Sequence, residues 1–164
     1  MDTVRIGIVG SKFAADFHCD SYSRNPHARL VAVAAIDNLE AISRKWSIPS
    51  THEDYRKMFA REDLDLVSIC VPNFLHHDAV IAASEAGIDV VCEKPLATTI
   101  EECEAMISAA RENNVYLMVD WHNRWNPPFY AAWKAIREGE IGDVRYIYYR
   151  LNDTIYVPTK MLPW

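Results

Sequence analysis

The sequence predicts an α/β protein built on a doubly wound parallel sheet. Three observations point there. Over the first 120 residues, short apolar runs alternate with helical patterns across brief joints. Those runs are mostly apolar throughout rather than alternating, as strands are when helices cover both faces of a parallel sheet. The first run, Val4-Arg5-Ile6-Gly7-Ile8-Val9, leads straight into a glycine turn and a helix start, Gly10-Ser11-Lys12-Phe13-Ala14-Ala15-Asp16-Phe17-His18.

A strand, a tight turn and a helix N-terminus aim backbone N–H groups at a pyrophosphate, so the sheet reads as Rossmann type. The fingerprint has glycine at its first and third positions and Gly or Ala at its sixth. Here those positions hold Gly10, Lys12 and Ala15. Gly10, Lys12, Phe13 and Ala14 are therefore the candidate cradle for NAD or NADP. Lys12 either offers a cation to the phosphates or points to solvent. The second strand, Leu30 to Ile36, is followed by Asp37-Asn38, close to where this fold places an acid for the adenosine ribose hydroxyls. Asp37 or Asn38 serves equally as N-cap of the helix running to Trp46.

Ser50 to Ala60 reads as a short connection and a helix, with Glu53-Asp54 loading its first turn. Leu64 to Val71 is a buried strand that Pro72 stops. Asn73 can bond a ligand or cap the next helix, and His76 falls in that helix's first turn, at the site or on the surface. The helix continues from Asp78 through Ala86 and closes on Gly87. The apolar run Ile88 to Cys92 then ends in Glu93-Lys94-Pro95. Ligands of open α/β sheets sit beyond the carboxyl ends of strands, which makes Lys94 the candidate acid–base group. Its competing reading is a solvated Glu-Lys pair before a turn proline. Thr99 caps a helix with Glu101-Glu102 in its first turn, running to Asn113, and Val115 to Val119 is a further strand.

Asp120-Trp121-His122-Asn123-Arg124-Trp125-Asn126-Pro127-Pro128 comes next. Arg124 suits an anionic or polyol substrate and Trp125 a flat ring. The alternative is a structural hinge with buried tryptophans. Pro128 to Glu138 forms a helix stopped by Gly139, and Val144 to Val157 reads as one long strand. One strand cannot stand alone. The expected organisation is a dinucleotide-binding domain over residues 1–122 and, over 123–164, the first helix and strand of a truncated α+β second domain. Otherwise that strand pairs with another chain as a homo-oligomer.

The totals set the remaining limits. Half of the 164 residues are hydrophobic, and the net charge of −6 comes with no basic run, which argues against nucleic acid as a partner. No apolar run reaches the length of a membrane span, and no signal-peptide pattern opens the chain. Cys19, Cys70, Cys92 and Cys103 lack C-x-x-C spacing and are expected as buried thiols of a reducing cytoplasm. No metal site is expected.

Taken together, these pieces resemble the glucose–fructose oxidoreductase / inositol dehydrogenase (Gfo/Idh/MocA) family of NAD(P)-dependent oxidoreductases. The resemblance rests on Gly7-Ile8-Val9-Gly10 to His18, on Val71-Pro72-Asn73-Phe74-Leu75-His76 and on Cys92-Glu93-Lys94-Pro95-Leu96-Ala97. His122-Asn123-Arg124-Trp125-Asn126-Pro127 and Glu138-Gly139-Glu140-Ile141-Gly142-Asp143-Val144 extend it across the chain. It implies that Pro72, Asn73, His76 and Glu93 line the cofactor site. It makes Lys94 the catalytic or substrate-orienting lysine, before a cis Pro95, and places Arg124 and Trp125 near the nicotinamide. The implied reaction is hydride transfer to or from a sugar, inositol or related polyol, with Lys94 and a distant Asp/His pair handling the hydroxyl proton. Lys12 replaces the family's middle glycine, the acid is missing from the usual end of the second strand, and only the first strand of the second domain is present. If the chain were the whole product, cofactor binding without efficient turnover would be expected. The competing function is a non-catalytic nucleotide-binding or assembly subunit.

Overall fold

A computed structural model describes residues 3–150 and 152. Six strands, β1 (Val4–Val9), β2 (Ala28–Ala34), β3 (Ser50–His52), β4 (Leu66–Ile69), β5 (Asp89–Cys92) and β6 (Leu117–Val119), form one sheet in the order β3-β2-β1-β4-β5-β6. Every pairing is parallel. The helices α1 (Phe13–Ser23), α2 (Leu39–Trp46), α3 (Tyr55–Arg61), α4 (His76–Glu85) and α5 (Ile100–Glu112) supply the crossovers. The doubly wound Rossmann order has its switch point between β1 and β4, where a crevice opens beyond the strands' carboxyl ends.

The core has two layers because the sheet is covered on both faces. Ile6, Ile8 and Val33 pack with Ala15 and Cys19 of α1 and Ile42 of α2. Val9, Val67, Ile69 and Val90 pack with Met58, Ala79, Val80 and Met106 of α3, α4 and α5. Gly7 leaves room for Leu64, whose Cδ1 would stand 2.8 Å from a Cβ there. Burial pushes the Cys19 and Cys92 thiols up to about 12 and Cys70 well above its ordinary value, so these are inert core thiols.

Local signals explain most element ends. Thr99 and Glu102 make a reciprocal capping box at the start of α5. Asp54 accepts from the Arg56 N–H at 2.9 Å and caps α3, so Glu53 and Asp54 precede that helix instead of loading its first turn. Gly87 closes α4 at φ +73°. At α2 neither expected cap operates: Asn38 enters through the left-handed region at φ 50° and no side chain caps the helix.

Three further expectations are corrected. β3 was not foreseen in the expected connection, because Ser50-Thr51-His52 is a polar edge strand with no apolar run. β2, β4 and β6 end or begin inside their expected apolar runs. Leu64 and Val71 still pack on the core beyond the β4 ladder, whereas Ile36 after β2 and Tyr116 before β6 are exposed and need no strand to bury them. The long strand expected over Val144 to Val157 is not seen in its described part: residues 144–150 carry no strand pairing, and most of the rest lies outside the described residues. A strand needs a hydrogen-bonded neighbour, and none is present for this segment among the described residues.

Contacts group the chain up to Asp120 in one compact unit and from Trp121 in a second. The second contains a 3₁₀ turn, His122–Trp125, and α6 (Pro127–Arg137), which starts one residue earlier than expected with Pro at its first positions. Among the described residues no helix is long and apolar enough to cross a membrane.

Candidate functional site

The sheet's topology collects most of the sequence-predicted site residues along one edge. Gly10 follows β1, Asp37 follows β2, Pro72 and Asn73 follow β4, and Glu93 and Lys94 follow β5, all at carboxyl ends.

The cradle fits a dinucleotide at its first position and departs at its third. Gly10 sits at φ +120°, and a Cβ there would lie 2.5 Å from the Cys70 carbonyl oxygen, so only glycine is admitted. Its N–H donates to the Ala34 carbonyl at 2.8 Å, tying the turn to β2. Lys12 has extended backbone, φ −102° and ψ −160°, which any residue adopts; the turn itself does not demand glycine there. From Phe13 the helix α1 begins, with Phe13 and Ala14 half-buried and their N–H groups among the unpaired donors of a first turn.

The Lys12 side chain swings towards Asp37, with Nζ 3.3 Å from its carboxylate. Ser11 donates its hydroxyl to the other Asp37 oxygen at 2.9 Å. The Ser11 hydrogen bond first, and Lys12 beside it, hold the Asp37 carboxyl below its ordinary range. Asp37 is thus clamped to the glycine turn and opens on a cleft of about 510 Å³ that Arg44 and Glu53 also line.

His76 is neither a surface residue nor free to turn. It is buried at the start of α4, with Nε2 2.9 Å from the Val71 carbonyl and Nδ1 3.0 and 3.2 Å from the Pro95 and Leu96 carbonyls. The imidazole therefore ties the end of β4 to the turn after β5. Pro72 and Asn73 precede it, Asn73 exposed on a 3₁₀ turn. Lys94 is exposed, and its bond to Pro95 is cis. Glu93 turns inwards: Oε2 accepts the Lys94 N–H at 3.0 Å, and Oε1 lies 3.4 Å from His18 Nε2. Burial raises the Glu93 carboxyl, but His18 and Lys94 outweigh it and the net direction is down. Arg124 and Trp125 belong to the second unit, exposed on its 3₁₀ turn, where the Arg124 N–H donates to the Trp121 carbonyl.

A cluster absent from the sequence-predicted set lies beside Glu93. His18 Nε2 is also 3.4 Å from Asp120 Oδ2, and His18 Nδ1 is 3.2 Å from Ser68 Oγ, itself 2.7 Å from Tyr22 Oη. A signal for it existed. Glu93 and Asp120 each directly follow an apolar strand, and parallel strands bring such residues to the same edge.

A doubly wound sheet with a glycine cradle at its switch point and an acid clamped beside it defines a dinucleotide-binding domain. The chain belongs to the Gfo/Idh/MocA family: residues 4–121 match the model described as an oxidoreductase family with an NAD-binding Rossmann fold. It is 32% identical to the levoglucosan dehydrogenase of Pseudarthrobacter phenanthrenivorans, covering 100% of this chain and 45% of the relative. It is 34% identical to the inositol 2-dehydrogenase of Rhizobium meliloti, covering 88% and 44% respectively. A crystal structure of scyllo-inositol dehydrogenase from Lactobacillus casei with bound NAD(H) and scyllo-inositol superposes with a TM-score of 0.82 at 26% identity, covering 87% of this chain and 43% of that one. The chain spans less than half the length of these relatives.

Proposed function

We propose that the protein is an NAD(P)-dependent oxidoreductase acting on a secondary alcohol carbon of a sugar, inositol or related polyol, with residues 1–122 as its cofactor domain and 123–164 beginning the next. The observation that carries this reading is Lys94, exposed at the carboxyl end of β5 beside the crevice of an NAD-binding fold. Gly10, Lys12, Phe13 and Ala14 would hold the pyrophosphate and Asp37 the ribose hydroxyls. Pro72, Asn73 and Glu93 would line the cofactor, with His76 buried behind them instead of in its lining, and Arg124 and Trp125 would meet its nicotinamide end. The cofactor, when bound, supplies the hydride acceptor or donor. Lys94 holds the substrate oxygen and moves its proton, so that charge on that oxygen is countered as it develops. His76 acts through the turn it ties and keeps Lys94 in place.

The test uses the intact natural polypeptide that contains residues 1–164, incubated with NAD or NADP and a panel of inositols, aldoses and anhydrosugars. Growth of the reduced-nicotinamide absorbance with at least one of them is expected, and Lys94→Ala should slow it by about 100-fold or more. Failure with every donor, forward and reverse, by a folded protein overturns the reading.

A second reading, a non-catalytic assembly subunit, is favoured by the exposed aromatic side chains of α6 and the following segment, Trp133 and Tyr146 among them. The same side chains support self-association through the C-terminal segment. A well-behaved monomer in analytical ultracentrifugation counts against both. Four free cysteines support a reducing, cytoplasmic setting.

A further inference from the structure

His18 and Asp120 have no part in the proposed hydride chemistry, yet with Glu93 they converge on one point. The imidazole is 8% exposed, and Nε2 forms no hydrogen bond, although a carboxylate oxygen of Glu93 and one of Asp120 each lie 3.4 Å away. The three ligand atoms all fall within 4.8 Å of one another. Metal bonds of about 2.0–2.1 Å in a tetrahedron set adjacent donors about 3.3–3.4 Å apart. Both edges measured from His18 match that spacing.

The surroundings agree with such a role. Nδ1 faces Ser68 Oγ at 3.2 Å, and Tyr22 Oη lies 2.7 Å beyond, so the ring is oriented through its other nitrogen. Metal-binding histidines are held in this way. Glu93 spends Oε2 on the Lys94 N–H and leaves Oε1 for the cluster. In the tautomer with the proton on Nδ1, the Nε2 lone pair is free for a cation held between the two carboxylates. A divalent ion between them balances the two carboxylates. The donor set, one imidazole and two carboxylates, suits zinc, cobalt or manganese.

We propose that His18 Nε2, Glu93 Oε1 and Asp120 Oδ2 are three ligands of a zinc-class divalent cation, with a fourth position left to water or another small ligand. Cysteine spacing gave no hint of it because none of the ligands is a cysteine.

The test is a titration of chelator-treated protein with Co²⁺, followed by its visible d–d absorption, and then displacement with Zn²⁺. One equivalent should bind with the intense bands of a low-symmetry four-coordinate site, and Zn²⁺ should remove them. Asp120→Asn and Glu93→Gln, both isosteric, should each weaken binding by about 100-fold or more, with the far-ultraviolet circular dichroism unchanged. His18→Ala should abolish it. Absence of saturable binding to the wild-type protein overturns the proposal. So does binding that Asp120→Asn leaves unchanged, which would be adventitious. Nitrogen NMR showing both His18 ring nitrogens still protonated in excess Zn²⁺ overturns it too, since a proton then fills the place given to the metal.

Discussion

Residues 3–120 and 121–150 both carry many large apolar side chains, but only the first stretch buries them. Ile8, Val67 and Met106 are fully covered in the sheet domain, while Trp133 is 55% and Tyr146 81% exposed. In the described part of the second stretch every residue but Ala135 is exposed. Apolar content alone does not make a core or a strand. The Rossmann unit closes because each of its strands has a parallel neighbour and helices cover its two faces.

The comparison is broken most forcefully by paired truncations. Ile8→Ala removes side-chain atoms from a packed layer and should cost about 2–5 kcal/mol by chemical denaturation. Trp133→Ala should change the same transition by no more than about 0.5 kcal/mol. Comparable losses from the two would show that the second stretch is buried against something after all. Glycines sharpen the contrast. Gly10→Ala meets the Cys70 carbonyl and should cost about 2–3 kcal/mol along with cofactor affinity. Gly139, at φ +75° with nothing within 4 Å, should lose about 1 kcal/mol on the same change, and only locally.

Smaller effects separate caps from surface ions. Thr99→Ala removes half of the α5 capping box and should cost about 1 kcal/mol, read from the denaturation midpoint. Asp65 is held at about 2, below its ordinary 3.8, by hydrogen bonds from the Arg5 guanidinium and then the Arg5 backbone N–H. A depressed folded-state value means that its stabilisation is complete above about pH 4 and fades as pH falls towards 2. The pair is well solvated, so Asp65→Asn should flatten the acid limb of the stability curve only slightly.

How much was legible in the sequence follows the same division. Val4 to Val9 with its glycine turn, Thr99 with Glu101-Glu102, and Cys92-Glu93-Lys94-Pro95 were readable because local chemistry and position in the fold agree there. β3 was not, since an edge strand of Ser50, Thr51 and His52 carries no apolar signal. The described residues 144–150 misled because β-rich composition says nothing about whether a neighbouring strand is available. His76 read ambiguously: its burial depends on three carbonyls, two of them nineteen and twenty residues away. His18 drew no role because its partners, Glu93 and Asp120, come from two other strand ends.

The central claim is that residues 1–122 of this chain form a cradle for a nicotinamide dinucleotide despite Lys12 in place of the middle glycine. It is tested most directly by titrating the chain with NADH and, separately, NADPH, and following nicotinamide fluorescence. The account predicts saturable binding of at least one cofactor in the micromolar range, lost in Gly10→Ala and nearly unchanged in Lys94→Ala. A chain with intact circular dichroism that binds neither cofactor would contradict it.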